Sequence, residues 1–165
     1  MKNRLLIFSA LFISSLLFAC GGGSISFSAG TKKDISTGLA TSWKGLHVED
    51  AYLMDLKTKE RINSNEVTQG DEIAIVVTGV DNLTESEGKV APGLDISVTD
   101  PSGKEVLGAK DILSNEFAKD DVNLLQATLT VGNPLQSGNT YHMKARFYDK
   151  KGEGEITSEI DLKVK

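Results

Sequence analysis

Tyr141-His142-Met143-Lys144-Ala145-Arg146-Phe147 alternates apolar and polar residues without a break. In an extended chain successive side chains point to opposite faces, so Tyr141, Met143, Ala145 and Phe147 share one face and His142, Lys144 and Arg146 the other. The same period returns at Ile156, Ser158, Ile160, Leu162 and Val164, set against Glu159, Asp161 and Lys163. Leu125, Ala127, Leu129 and Val131 repeat it against Gln126, Thr128 and Thr130, and Leu94, Ile96 and Val98 against Asp95, Ser97 and Thr99. Ile73 to Val80 is apolar on both sides, as a strand buried on both faces must be.

Turn residues separate these runs and place strands at 47–56, 72–80, 93–99, 104–108, 122–131, 139–148 and 154–164. Asp100-Pro101-Ser102-Gly103 joins the third to the fourth as a hairpin, with proline where its fixed φ suits the turn. Asp149-Lys150-Lys151-Gly152 makes the last hairpin. Asp111 to Ala118 is the only stretch of this region that reads as helix, and it suffices for one or two turns in a loop. Seven short strands with a turn every 8–12 residues predict an all-β, two-sheet sandwich.

Leu135-Gln136-Ser137-Gly138-Asn139-Thr140-Tyr141, continued through Asp149-Lys150-Lys151-Gly152, resembles the strand E to G region of bacterial immunoglobulin-like and fibronectin type III-like domains. The shared features are a Gly turn, a Tyr entering strand F and an Asp-x-x-Gly turn before strand G. The resemblance covers about 30 residues well and the remainder by strand count, and it implies a seven-stranded immunoglobulin-like sandwich. Many functions share that fold, so no activity comes with it.

Upstream the composition changes. Lys2 and Arg4 precede an apolar run from Leu5 to Phe18, closed by Ala19-Cys20. A run of about 14 residues is short for the roughly 30 Å hydrocarbon core, which takes about 20 in a helix. A positive start, a short apolar run and a small residue at the cut describe a secretory signal. Leu17-Phe18-Ala19-Cys20 resembles the lipobox of bacterial lipoproteins, with Phe18 standing where a smaller residue is usual. The resemblance implies diacylglycerol on the Cys20 thiol, cleavage before it and acylation of the new N-terminus, and more than one chain makes a stable anchor. Residues 1–19 are read as signal peptide, 20–42 as lipidated cysteine and flexible Gly/Ser/Thr-rich tether, and 43–165 as the folded domain. Such a tether would hold the domain roughly 25 Å from its anchor; the alternative is that part of it adds a strand to the domain edge.

Cys20 is the single cysteine, so the domain has no internal disulfide and depends on apolar burial. The chain carries 18 Lys and Arg against 23 Asp and Glu. Lys2 and Arg4 leave with the signal, which takes the net charge from −5 to −7. That balance excludes nucleic acid as a partner and leaves the covalent lipid as the membrane contact. Gly21 follows the cysteine where Asp would signal inner-membrane retention in enteric bacteria, which favours the outer membrane.

Few residues suggest catalysis. The two histidines, His47 and His142, stand at the start of one strand and on the outer face of another, and no G-x-S-x-G is present. Two isolated histidines do not supply a zinc set. In immunoglobulin order the B–C, D–E and F–G loops share one end of the sandwich. They bring Asp81, Asp120, Asp121 and Asp149 to that end as candidate Ca²⁺ ligands, hard oxygens of the type calcium takes. Lys89, Lys119, Lys150 and Lys151 interleave with them, and solvated loops are the plainer account. Carbohydrate stacking would fall to Trp43, Phe117 and Tyr148. The expectation is an envelope lipoprotein acting as a non-catalytic binding or accessory module through contact with an envelope protein. A polysaccharide- or Ca²⁺-dependent ligand module is the alternative, and an enzyme the third. The tether enters at the acidic-loop end, which turns Lys57 to Gly70 outward.

Overall fold

The computed structural model describes residues 28–165. The stretch read as signal peptide, Cys20 and the first part of the stretch read as tether lie outside the described residues.

In chain order the strands are β1 (Ala29–Lys33), β2 (Ala40–Lys44), β3 (Asp50–Asp55), β4 (Glu66–Val67), β5 (Glu72–Thr78) and β6 (Lys89–Val90). They continue as β7 (Pro92–Thr99), β8 (Glu105–Ala109), β9 (Phe117–Ala118), β10 (Leu124–Thr130), β11 (Thr140–Asp149) and β12 (Glu155–Val164). The single helical turn among the described residues is a 3-10 turn at Lys119–Asp121, just past the stretch that read as helix. The chain is an all-β, immunoglobulin-like two-sheet sandwich. The large sheet runs β1-β2-β12-β11-β7-β8, with β4 beside the far part of β12, and the small sheet runs β10-β5-β3. Strands A, B and E of the expected order are β3, β5 and β10, while C, F and G are β7, β11 and β12. The fourth, β8, joins the sheet of β7, because the tight turn at Asp100 to Gly103 returns the chain directly alongside.

The alternation at 141–147 does what its period demands. Tyr141, Met143, Ala145 and Phe147 are buried, and they face Ile156, Ser158, Ile160 and Leu162 on β12 across the register. Leu53, Ile73, Ile75, Val77, Leu125 and Ala127 close the core from the small sheet. Each of these Leu, Ile and Val side chains contributes about 1.5–3 kcal/mol when fully buried. At the start of β11 the Tyr141 hydroxyl accepts the Gln136 N–H at 2.8 Å. This is the tyrosine corner of the fold, tying strand F to the turn that feeds it.

The tether reading is corrected from residue 29 onward. Ala29–Lys33 and Ala40–Lys44 form a hairpin that adds two strands to the large sheet, with Thr41 opposite Ser158 and Trp43 opposite Ile156. Leu39 is 1% exposed, and the Thr41 and Ser158 hydroxyls share a hydrogen bond of 2.8 Å inside the core. The stretch read as tether because its small polar residues are those of an edge hairpin: β1 is exposed along nearly its whole length, and few bulky residues are needed. Trp43 is half-buried, its ring lying over Gly30 of β1 where any side chain would collide with it. Lys32 reaches from β1 to Asp50 of the small sheet at 2.6 Å, and Arg61 meets the same carboxylate at 2.5 Å.

Lys57 to Gly70 is a seam between the sheets. Asp55 donates to Glu60 and Ile62 to Leu53 along β3, after which β4 pairs with Lys163 and Val164 of β12.

Candidate functional site

The three loops expected at one end do meet there, and backbone bonds weld them together. Lys89–Val90 of the B–C loop pairs with Phe117–Ala118 of the D–E connection. Lys150 donates its N–H to the Ala91 carbonyl at 2.9 Å and its ammonium to the Leu113 carbonyl at 2.6 Å. Lys151 meets Glu116 at 2.7 Å and Lys119 meets Glu85 at 3.5 Å. Lysines interleave with acids because they join one loop to the next.

The four calcium candidates are not brought together as ligands. Asp149 is 5% exposed, and its two carboxylate oxygens accept the Thr84 N–H at 2.7 Å and the Lys151 N–H at 2.9 Å. This oxygen pair, held by backbone donors, braces the loops. Asp81 and Asp120 line a polar cleft with His47, Glu49, Lys119 and Asn123. Asp121 belongs to a separate groove beside Phe117 and Leu124. Among the described residues no three His, Asp or Glu side chains are grouped to hold a metal ion.

The outer face of the large sheet is a ladder of polar and charged pairs between neighbouring strands. His142 meets Asp161 at 2.8 Å and Lys144 meets Glu159 at 2.8 Å. Arg146 lies between Asp95 at 3.3 Å and Glu155 at 3.0 Å. His142 is therefore one rung of a surface ladder. Of the aromatics, Tyr148 lies over Gly93 with the Arg146 guanidinium 4.7 Å from its ring centre. Tyr52 carries Arg61 at 3.8 Å. Trp43 and Tyr148 thus each spend a face on a neighbour within the fold, as Tyr52 does, while Phe117 lines the groove beside Leu124.

One feature of the small sheet went unread in the sequence. β10 pairs with β5 over its full seven residues and with no other strand. Val131 donates to Asp71, its partner in the same register, so the N–H groups of Leu125, Ala127 and Leu129 face β5 by alternation. Those of Leu124, Gln126, Thr128 and Thr130 then face away, and no described group hydrogen bonds to them. Beside this edge Leu113, Phe117, Val122 and Leu124 line a shallow apolar groove, and Leu124 is 48% exposed.

No protein-family model matches this chain, and no curated protein matches it. The remaining edges differ from β10. β1 ends in Lys32-Lys33-Asp34, β8 has an irregular register at Val98/Thr99 between Lys104 and Lys110, and β3 is covered by Glu60 to Ile62. Natural sheets protect their edges by such charges, bulges and coverings. A signal for the exception was present: from Val122 to Val131 no residue carries a charge. Among the described residues no helix is long and apolar enough to cross a membrane.

Proposed function

We propose that this chain is a lipid-anchored protein of the bacterial envelope, more specifically of the outer membrane, whose sandwich binds another protein and performs no catalysis. The anchor reading rests on Leu17-Phe18-Ala19-Cys20 behind its apolar run. The binding reading rests on one observation, the open and uncharged edge of β10 beside an apolar groove. Exposed strand edges with pockets alongside are what proteins use to take up an extended segment of a partner.

Two details orient the domain on this reading. Ser28 accepts the Gly45 N–H, next to the β2–β12 pairing of Lys44 with Glu155, so the chain enters at the end that carries the welded loops. Chain extends at most about 3.3–3.6 Å per residue, so the eight steps from Cys20 to Ser28 reach roughly 28 Å at full stretch. The loop end then faces the bilayer, and the β10 edge is presented sideways.

Fractionation and cross-linking test the reading. The full chain sediments with membranes and Cys20→Ala releases it to the soluble fraction. Cross-linking in intact membranes gives one discrete adduct with a second protein. A Cys20→Ala chain that stays in the membrane sinks the anchor, and a lipidated chain with no adduct sinks the binding role.

A further inference from the structure

We propose that the β10 edge takes up an extended strand of another protein, uncharged along its middle and carrying Lys or Arg at both ends. The proposal rests on the binding reading above and names the surface and the chemistry of the partner.

The strand part follows from the backbone. The outward N–H and C=O groups of Leu124, Gln126, Thr128 and Thr130 are spaced as a ladder, and the seven-residue pairing with β5 has no register shift. A straight ladder of that length fixes a partner strand by main-chain hydrogen bonds, and the side chains on alternate positions then select it. On the outer face the partner meets Leu124, Gln126, Thr128 and Thr130, none of them charged. At the loop end it passes the apolar groove beside Leu113 and Phe117.

The ends supply the charge argument. Asp120 and Asp121 precede β10, and Glu72 stands opposite Thr130 with Asp71 next to it. No Lys, Arg or His among the described residues forms an ion pair with any of these four carboxylates. The edge is therefore neutral along its length, with two carboxylates free of ion pairs at each tip; of the lysines beside them, Lys119 pairs with Glu85 and Lys57 donates to the Gly70 carbonyl. A second copy of this chain fits poorly. Antiparallel pairing of β10 with itself over all seven residues sets Leu124 against Thr130, and so carries Asp120-Asp121 of each copy to the Asp71-Glu72 end of the other. Like charges would meet at both ends, whereas a strand with basic termini meets an opposite charge in either direction.

Two synthetic probes test this on the full chain in detergent micelles: Lys-Thr-Val-Thr-Val-Thr-Lys and its twin with Glu at both ends. The Lys probe binds about tenfold tighter than the Glu probe at low salt, as a few partly exposed charge pairs allow. It slows amide exchange at Leu124, Gln126, Thr128 and Thr130. Replacing Asp120 and Asp121 by Asn and Glu72 by Gln, all exposed positions, brings the two probes to near equality without lowering the melting temperature. Equal binding of the two probes to the unaltered chain overturns the proposal. So does protection that appears on β1 or β8, or a concentration-dependent dimer of the chain that protects β10 by itself. A membrane cross-link that maps to another face of the sandwich would reject this edge while leaving the broader binding role standing.

Discussion

The Asp149 carboxylate accepts the backbone N–H of Thr84 at 2.7 Å, joining two loops that lie 65 residues apart in the chain. Its other oxygen turns back to the Lys151 N–H in its own hairpin. One buried side chain thereby holds the B–C loop against the F–G turn, at the end where the chain enters the fold.

Removing that brace should cost more than a surface acid would. Asp149→Ala leaves the Thr84 and Lys151 N–H groups without their acceptor in a protected site, a loss of about 1–3 kcal/mol. Urea unfolding of the variant and the parent measures it. The same loss is expected in calcium and in EDTA, since the carboxylate is committed to backbone donors; a penalty that appears only with calcium present would restore a metal role.

Tyr141→Phe isolates the corner contact. The ring stays buried and only the hydroxyl that accepts the Gln136 N–H is lost. A net hydrogen bond is worth about 0.5–1.5 kcal/mol, so the urea midpoint should fall by a matching amount with an unchanged slope. A changed slope would mean that the variant alters the folded or unfolded ensemble as well.

The sheet was legible where one face is buried and the other wet, because the two-residue period then appears directly in the residue types. Tyr141 to Phe147 and Ile156 to Val164 are such stretches. The hairpin at 29–44 was legible only as the lesser alternative to a tether, since an exposed edge pairs through its backbone, which leaves little trace in composition. The bracing role of Asp149 was hidden for a related reason. A carboxylate that accepts N–H groups and one that binds a cation look the same until their neighbours are known. The β10 edge lay in plain view as ten uncharged residues, and only the pairing showed that one side of them is open.

Asp50 gives the fold a defined acid sensitivity. Burial pushes its carboxyl up, but hydrogen bonds from Lys32 and Arg61 outweigh that and bring it down from 3.8 to about 2. A depressed folded value means that the contribution is complete above the unfolded value and is lost as pH falls from near 4 through about 2. Lys32 and Arg61 are about half exposed, so screening leaves on the order of 1 kcal/mol. Lys32→Met should therefore be less stable than the parent at pH 7, with the difference closing toward pH 2. A difference that stays constant across that window would assign the loss to packing.

The hairpin is open to a sharper test through its buried hydroxyl pair. Thr41 is 2% exposed and Ser158 is not exposed at all, and each hydroxyl has the other as its partner. Ser158→Ala strands the Thr41 hydroxyl inside the sandwich at a cost of about 1–3 kcal/mol, while removing both polar groups together is nearly neutral. The double variant Thr41→Val/Ser158→Ala should accordingly recover most of what Ser158→Ala loses. The coupling can exist only if residues 40–44 are docked on β12. A Thr41→Val change with the same effect whether or not Ser158 is present would return this stretch to a tether, and with it the 25 Å stand-off from the membrane expected of one.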